Sequence, residues 1–143
     1  MPTTTQTEET AQRRLARAVA VERAASRAGL MPPLHARDED ESYHVLEGEL
    51  TFYVGDDTVR AGSGDRVVAP RGVPRTFRVE SERARWLVVT RVRSVERFED
   101  FGRALARPVP GWPSADEAAT VTAIGAANGI EVLGPPGSLP SKR

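Results

Sequence analysis

His35, Arg37 and Glu41 lie within the stretch HARDEDESYHVLEG (residues 35–48), and Arg75 lies within GDRVVAPRGVPRTFRV (residues 64–79). An imidazole exchanges a proton near neutral pH, and a carboxylate does so when its surroundings raise its pKa. A guanidinium stays cationic and offers only donors, so it suits holding a carboxylate, an enolate or a phosphate. Together these are the parts for proton transfer with oxyanion support. Other chemistries lack their residues. The chain has no cysteine, which removes thiolate nucleophiles, disulfides and Cys-ligated metals. It contains no Ser nucleophile elbow, no phosphate-binding Gly-rich loop and no HExxH, and GSGD at Gly62–Asp65 reads as a turn.

Strands must position these residues. Side chains alternate between the faces of a strand, so if His35 points inward, Arg37, Glu41, Tyr43 and Val45 share its parity. Ser42–Glu47 and Leu50–Val54 read as the arms of a hairpin turning at Gly48 and Glu49, with β-branched and aromatic residues in both. That hairpin sets Val45 opposite Phe52 and Tyr43 opposite Val54. One side then carries Tyr43, Val45, Leu50, Phe52 and Val54, and the other His44, Thr51 and Tyr53. Ala18–Glu22 and Trp86–Thr90 read as further strands, and Arg75, Phe77 and Val79 share one face of another. Pro32 and Pro33 suit a sheet edge or a connection. Short strands spaced by Gly and Pro turns predict an all-β barrel.

Beyond Val92 the composition changes. Ser94 can cap a helix to about Ala106, stopped by Pro108, and Pro108–Pro113 reads as a stiff linker. Ser114 and Glu117 form a capping-box pair opening a second helix, which Asn128-Gly129 closes. Residues 1–16 are polar and Thr-rich and read as a flexible tail, giving a layout of 1–16 tail, 17–93 barrel and 94–143 helical extension packed on the barrel. Acidic and basic residues balance at 20 each. No net field therefore favours nucleic acid or an anionic membrane, and neither is expected as a partner. With no secretory signal and no membrane-length apolar run, a cytoplasmic location is expected.

The two stretches together resemble the paired motifs of the cupin family. In the first motif Gly29, His35, Glu41 and Gly48 keep the family spacing, and Arg37 stands at a histidine position. In the second, Gly64, Pro70 and Gly72 keep it, while Arg75 stands at a histidine and Val79 at an asparagine. The resemblance spans roughly residues 18–134 and is similar to small bacterial quercetin 2,3-dioxygenase-like cupins. It implies a cupin-type jelly-roll β-barrel with a C-terminal two-helix extension, whose tail IEVLGPPGSLP packs outside the barrel. It also implies that residues 35, 37, 41 and 75 converge where family members hold a metal with three imidazoles and a carboxylate.

Arginine has no lone pair to offer a metal, so no metal and no cofactor are expected; His35 and Glu41 are the only family ligands kept. His35 and Glu41 are instead the candidate proton-transfer residues. Arg37, Arg75, Tyr43, Phe52, Phe77 and Trp86 are the candidate ligand-binding residues. The expected partner is a small anionic or enolisable molecule, aromatic or polyketide-like, with isomerase, cyclase or lyase chemistry. Two alternatives stand beside this reading. One is a metal-dependent quercetin-dioxygenase-like oxygenase with unusual ligands. The other is a non-catalytic cupin whose Arg37–Glu41–Arg75 ion triad fills the site. The resemblance further implies a homodimer through an outer sheet face, with His44, Leu46 and Tyr53 as contributors.

Overall fold

Alternating apolar residues produce nine strands and one complete helix among the residues that the computed structural model describes, namely 17–92, 94–96, 98–99 and 114–140. The order is β1 (Arg17–Ala25), β2 (Pro33–Arg37), β3 (Glu41–Glu47), β4 (Leu50–Val54), β5 (Asp57–Ala61), β6 (Arg66–Ala69), β7 (Arg75–Val79), β8 (Ala84–Val92), α1 (Ala115–Ala126) and β9 (Ile130–Pro136). They form two antiparallel sheets, ordered β1-β8-β3-β6 and β5-β4-β7-β2-β9, rather than a closed barrel. The core lies between them, where Tyr43, Val45, Val88 and Trp86 of one sheet meet Phe52, Leu50 and Val79 of the other.

The expected hairpin does not form. β3 pairs with β6 and β8, and β4 pairs with β5 and β7, so Val45 faces Trp86 across the ladder while Phe52 faces Phe77. Gly48 is where the chain leaves one sheet for the other. Its φ of +83° is open to glycine, and a Cβ there would stand 2.2 Å from the Arg83 carbonyl oxygen. The inward set survives this correction, because both strands direct the same alternate residues at the shared core: Tyr43, Val45, Leu50, Phe52 and Val54 are all buried. His44 and Leu46 lie on the outer face of the first sheet and Tyr53 on that of the second, so the three do not share one surface.

β1 is longer than expected and pairs along its whole length with β8. β2 is not a sheet edge, because β9 covers it from Pro33 to Arg37. The tail expected outside the fold is therefore a strand within it, and Ile130 is buried. Its alternating Ile130 and Val132 pack with Val121 and Ile124 of α1. Ser114 caps α1 as expected, accepting a hydrogen bond from the Glu117 amide at 3.1 Å. Residues 95, 96, 98 and 99 are helical, but the rest of the expected first helix lies outside the described residues, as do the 1–16 tail and the Pro108–Pro113 linker. Among the described residues the extension thus supplies one complete helix and a strand in place of two helices. No helix among them is long and apolar enough to cross a membrane.

Candidate functional site

β2 supplies His35 and Arg37, β3 opens with Glu41, and β7 opens with Arg75, paired directly with His35. The turn between β2 and β3 is tied down at three points. The Asp38 amide donates to the Gly129 carbonyl at 3.1 Å, the Arg71 amide to Asp40 Oδ1 at 2.7 Å, and Thr90 Oγ1 to the Asp40 carbonyl at 2.8 Å. Glu41 is thereby held against both arginines. Its Oε1 accepts from Arg75 Nη1 at 2.9 Å and from the Tyr43 hydroxyl at 3.0 Å, and its Oε2 accepts from Arg37 Nη1 at 3.4 Å. All three charged side chains are buried, so the expected ion triad is present.

The triad does not fill the interior. Beside it lies a cavity of about 460 Å³ whose wall includes His35, Arg37, Glu41, Tyr43, Phe77 and Trp86. Two sequence candidates are absent from that wall. Phe52 stacks on Tyr43 at 4.9 Å between ring centroids and belongs to the core behind it. Arg75 donates from Nε to the Val73 carbonyl at 3.1 Å, from Nη2 to the Pro70 carbonyl, and from Nη1 to Glu41, so its donors face protein.

Other wall residues were not singled out from the sequence: Arg23, Leu30, Val88, Phe98 and Ile130. Arg23 and Arg37 both lie over the Phe98 ring, at 5.2 and 5.3 Å from its centroid, and Arg23 also pairs with Glu99 at 3.2 Å. A signal for Arg23 existed. It shares parity with Val19 and Val21 on the inner face of β1, where a cation needs a reason. Phe98 had none, because it reaches the cavity through the path of the chain after β8.

His35 Nδ1 lies 2.7 Å from the Pro33 carbonyl oxygen. A carbonyl only accepts, so the neutral ring carries its proton on Nδ1 and its lone pair on Nε2. Burial lowers the His35 pKa below its ordinary value, with Arg75 and Arg37 adding to the shift, while Glu41 and the Pro33 carbonyl oppose it. For Glu41 burial pushes the pKa upward, yet Arg37, His35 and Arg75 together outweigh it and hold the carboxyl below its ordinary range. Tyr43 is pushed well above its ordinary value by burial and by the Glu41 charge, and stays a donor.

These directions give an acid-side prediction. Both folded pKa values lie below the unfolded ones, so in acid the unfolded chain binds more protons and stability falls with pH. The His35 contribution is lost as pH falls below about 6.5, and that of Glu41 as it falls below about 4.5. Melting temperatures across this range should therefore drop in wild type, and the drop near the upper end should disappear in His35→Gln. Identical profiles for the two proteins would show that His35 is not buried as described.

Residues 26–90 match the family model of the Cupin domain. The chain carries a cupin domain. A crystal structure of an RmlC-like cupin from Shewanella frigidimarina has the same fold at 20% identity, with a TM-score of 0.51 over 57% of this chain and 70% of that one. The TT1209 protein of Thermus thermophilus is 33% identical over 52% of this chain and 71% of its own, with a TM-score of 0.48. The polyketide cyclase RemF of Streptomyces resistomycificus is 31% identical over 52% of this chain and 54% of its own, with a TM-score of 0.47. No curated protein matches the sequence.

The metal associated with cupin motifs does not fit these residues. Two guanidiniums occupy ligand positions, and both Glu41 oxygens already accept hydrogen bonds from cations or Tyr43. Among the described residues, no three His, Cys, Asp or Glu side chains come together as a ligand set.

Proposed function

We propose that this cupin domain binds a small anionic or enolisable metabolite in its cavity and moves a proton on it without a metal. One observation carries the reading: a buried, neutral imidazole with its lone pair on Nε2 and a cationic guanidinium share the wall of one largely apolar cavity. His35 Nε2 takes a proton from the carbon next to a carbonyl, and the negative charge that develops on oxygen is held by Arg37. Return of the proton at another carbon completes an isomerisation, with atoms balanced and no redox partner. A cyclisation or an elimination can begin with the same abstraction. Glu41 serves this scheme by holding the two arginines, since its own oxygens are engaged and its pKa is lowered. The site charge of two guanidiniums and one carboxylate favours an anion.

Two probes test this. 2-Naphthoate should bind by calorimetry, and 2-tetralone in deuterated buffer should exchange its α-protons faster with protein present. His35→Gln should slow that catalysed exchange by on the order of 100-fold. Absence of both binding and exchange would overturn the reading. Binding without exchange would favour a non-catalytic binding cupin, a second reading supported by the full engagement of Glu41 and Arg75 within the protein.

A further inference from the structure

Two buried N–H groups of cavity-wall residues have no hydrogen-bond partner among the described residues: Arg37 Nε and Trp86 Nε1. Each residue is 3% exposed. Buried donors are paired in the great majority of cases, because water is no longer there to satisfy them. Two exceptions among the residues that wall one cavity call for a common acceptor-bearing molecule.

Their placement describes that molecule. Arg37 Nη1 donates to Thr90 Oγ1 at 2.6 Å, which sets the guanidinium at the level of Thr90 on β8. Trp86 lies on the same inward face of β8, with Val88 between them. Four residues of strand separate the Cα atoms of Trp86 and Thr90 by about 13 Å. Apolar and aromatic groups line the interval. Tyr43 is the ladder partner of Val88, and the Phe77 ring meets the Trp86 indole edge to face at 5.1 Å. That contact packs the indole, but a ring face is a poor substitute for an oxygen acceptor.

We infer that the ligand is an elongated, flat molecule with an oxygen acceptor at each end of an apolar body. One end is received by Arg37 Nε and the other by Trp86 Nε1. The Arg37 end takes the charged oxygen, a carboxylate or enolate, because the donor there is a cation. The Trp86 end takes a neutral carbonyl or ether oxygen, because indole is an uncharged donor. This rests on the proposed anion pocket and narrows it to a two-ended aromatic acid or ketone.

The test compares 2-naphthoate with 6-acetyl-2-naphthoate, which adds one acceptor at the far end of the same ring system. Wild type should bind the acetyl compound roughly tenfold more tightly. Trp86→Phe keeps an aromatic ring and deletes the donor, so whatever its affinity for 2-naphthoate, it should bind both compounds alike and lose the roughly tenfold preference. Equal affinities in wild type, or a preference that survives in Trp86→Phe, would overturn the inference while leaving the anion pocket standing. If neither compound binds wild type, the anion pocket itself fails, and the inference with it. The wild-type comparison decides the matter even if the variant is unstable.

Discussion

Glu41→Ala should destabilise the fold by about 3–5 kcal/mol, a large share of the stability of a domain this size. The carboxylate is the only anion between Arg37 and Arg75 in the triad, and all three side chains are at most 5% exposed. Removing it leaves two buried guanidiniums facing each other without the charge that separates them. It also strips the Tyr43 hydroxyl of its acceptor. Urea unfolding of wild type and variant measures the difference. A loss below about 1 kcal/mol is what solvent-exposed pairs give, and it would place these side chains outside the core. The size of the effect says nothing about whether the triad is a better solution than apolar packing, since breaking a buried pair from one side costs more than the pair contributes.

Replacing both arginines by histidine, Arg37→His with Arg75→His, should create a divalent-metal site. The variant would offer three imidazoles and one carboxylate from β2, β3 and β7, and it would remove the two cations that repel a metal. Both positions already reach Glu41 directly. Zinc or nickel should bind with a Kd tighter than about 1 μM, more than about 8 kcal/mol of binding free energy. Metal analysis and calorimetry on wild type and variant provide the comparison. Stoichiometric metal in wild type would overturn the metal-free reading, and failure of the variant to bind would show that the four positions do not converge closely enough for coordination. Wild type carries Arg37 wedged between Glu41, Thr90 and the Arg91 carbonyl, an arrangement built around a guanidinium fork that a metal ligand does not need.

Several features were legible in the residues alone, for a local reason. Period-2 alternation is a property of a single extended chain, so the inward set Tyr43, Val45, Leu50, Phe52 and Val54 could be read without knowing which strand neighbours which. The outward placement of His44 follows from the same rule. The meeting of Glu41 with His35 and Arg37 does not, because residues 38–40 break the strand and Glu41 opens β3 in the other sheet. The Ser114 cap of α1 involves residues three apart, and the Gly48 turn is signalled by glycine itself. The identity of the charges in the site was also fixed by residue type, since an arginine remains a cation wherever it is placed.

Partner choice was decided only in three dimensions. The short Gly48-Glu49 connection looks like a hairpin turn, but closing β3 onto β8 and β4 onto β7 buries both inner faces against each other, which one hairpin could not do. The Ile130–Pro136 segment becomes a strand because β2 would otherwise present unpaired backbone groups beside the cavity. Arg75 was among the residues expected to meet a ligand, yet the Val73 and Pro70 carbonyls, both supplied by its own approach loop, take up its donors. Arg23 and Phe98 come to the cavity from strands and segments 75 residues apart. Sequence chemistry therefore determined which groups this protein has available and which way each strand turns them. Long-range packing decided which of those groups are spent on the protein itself and which, Arg37 Nε and Trp86 Nε1, have no partner among the described residues, because hydrogen-bond satisfaction depends on neighbours that no local pattern specifies.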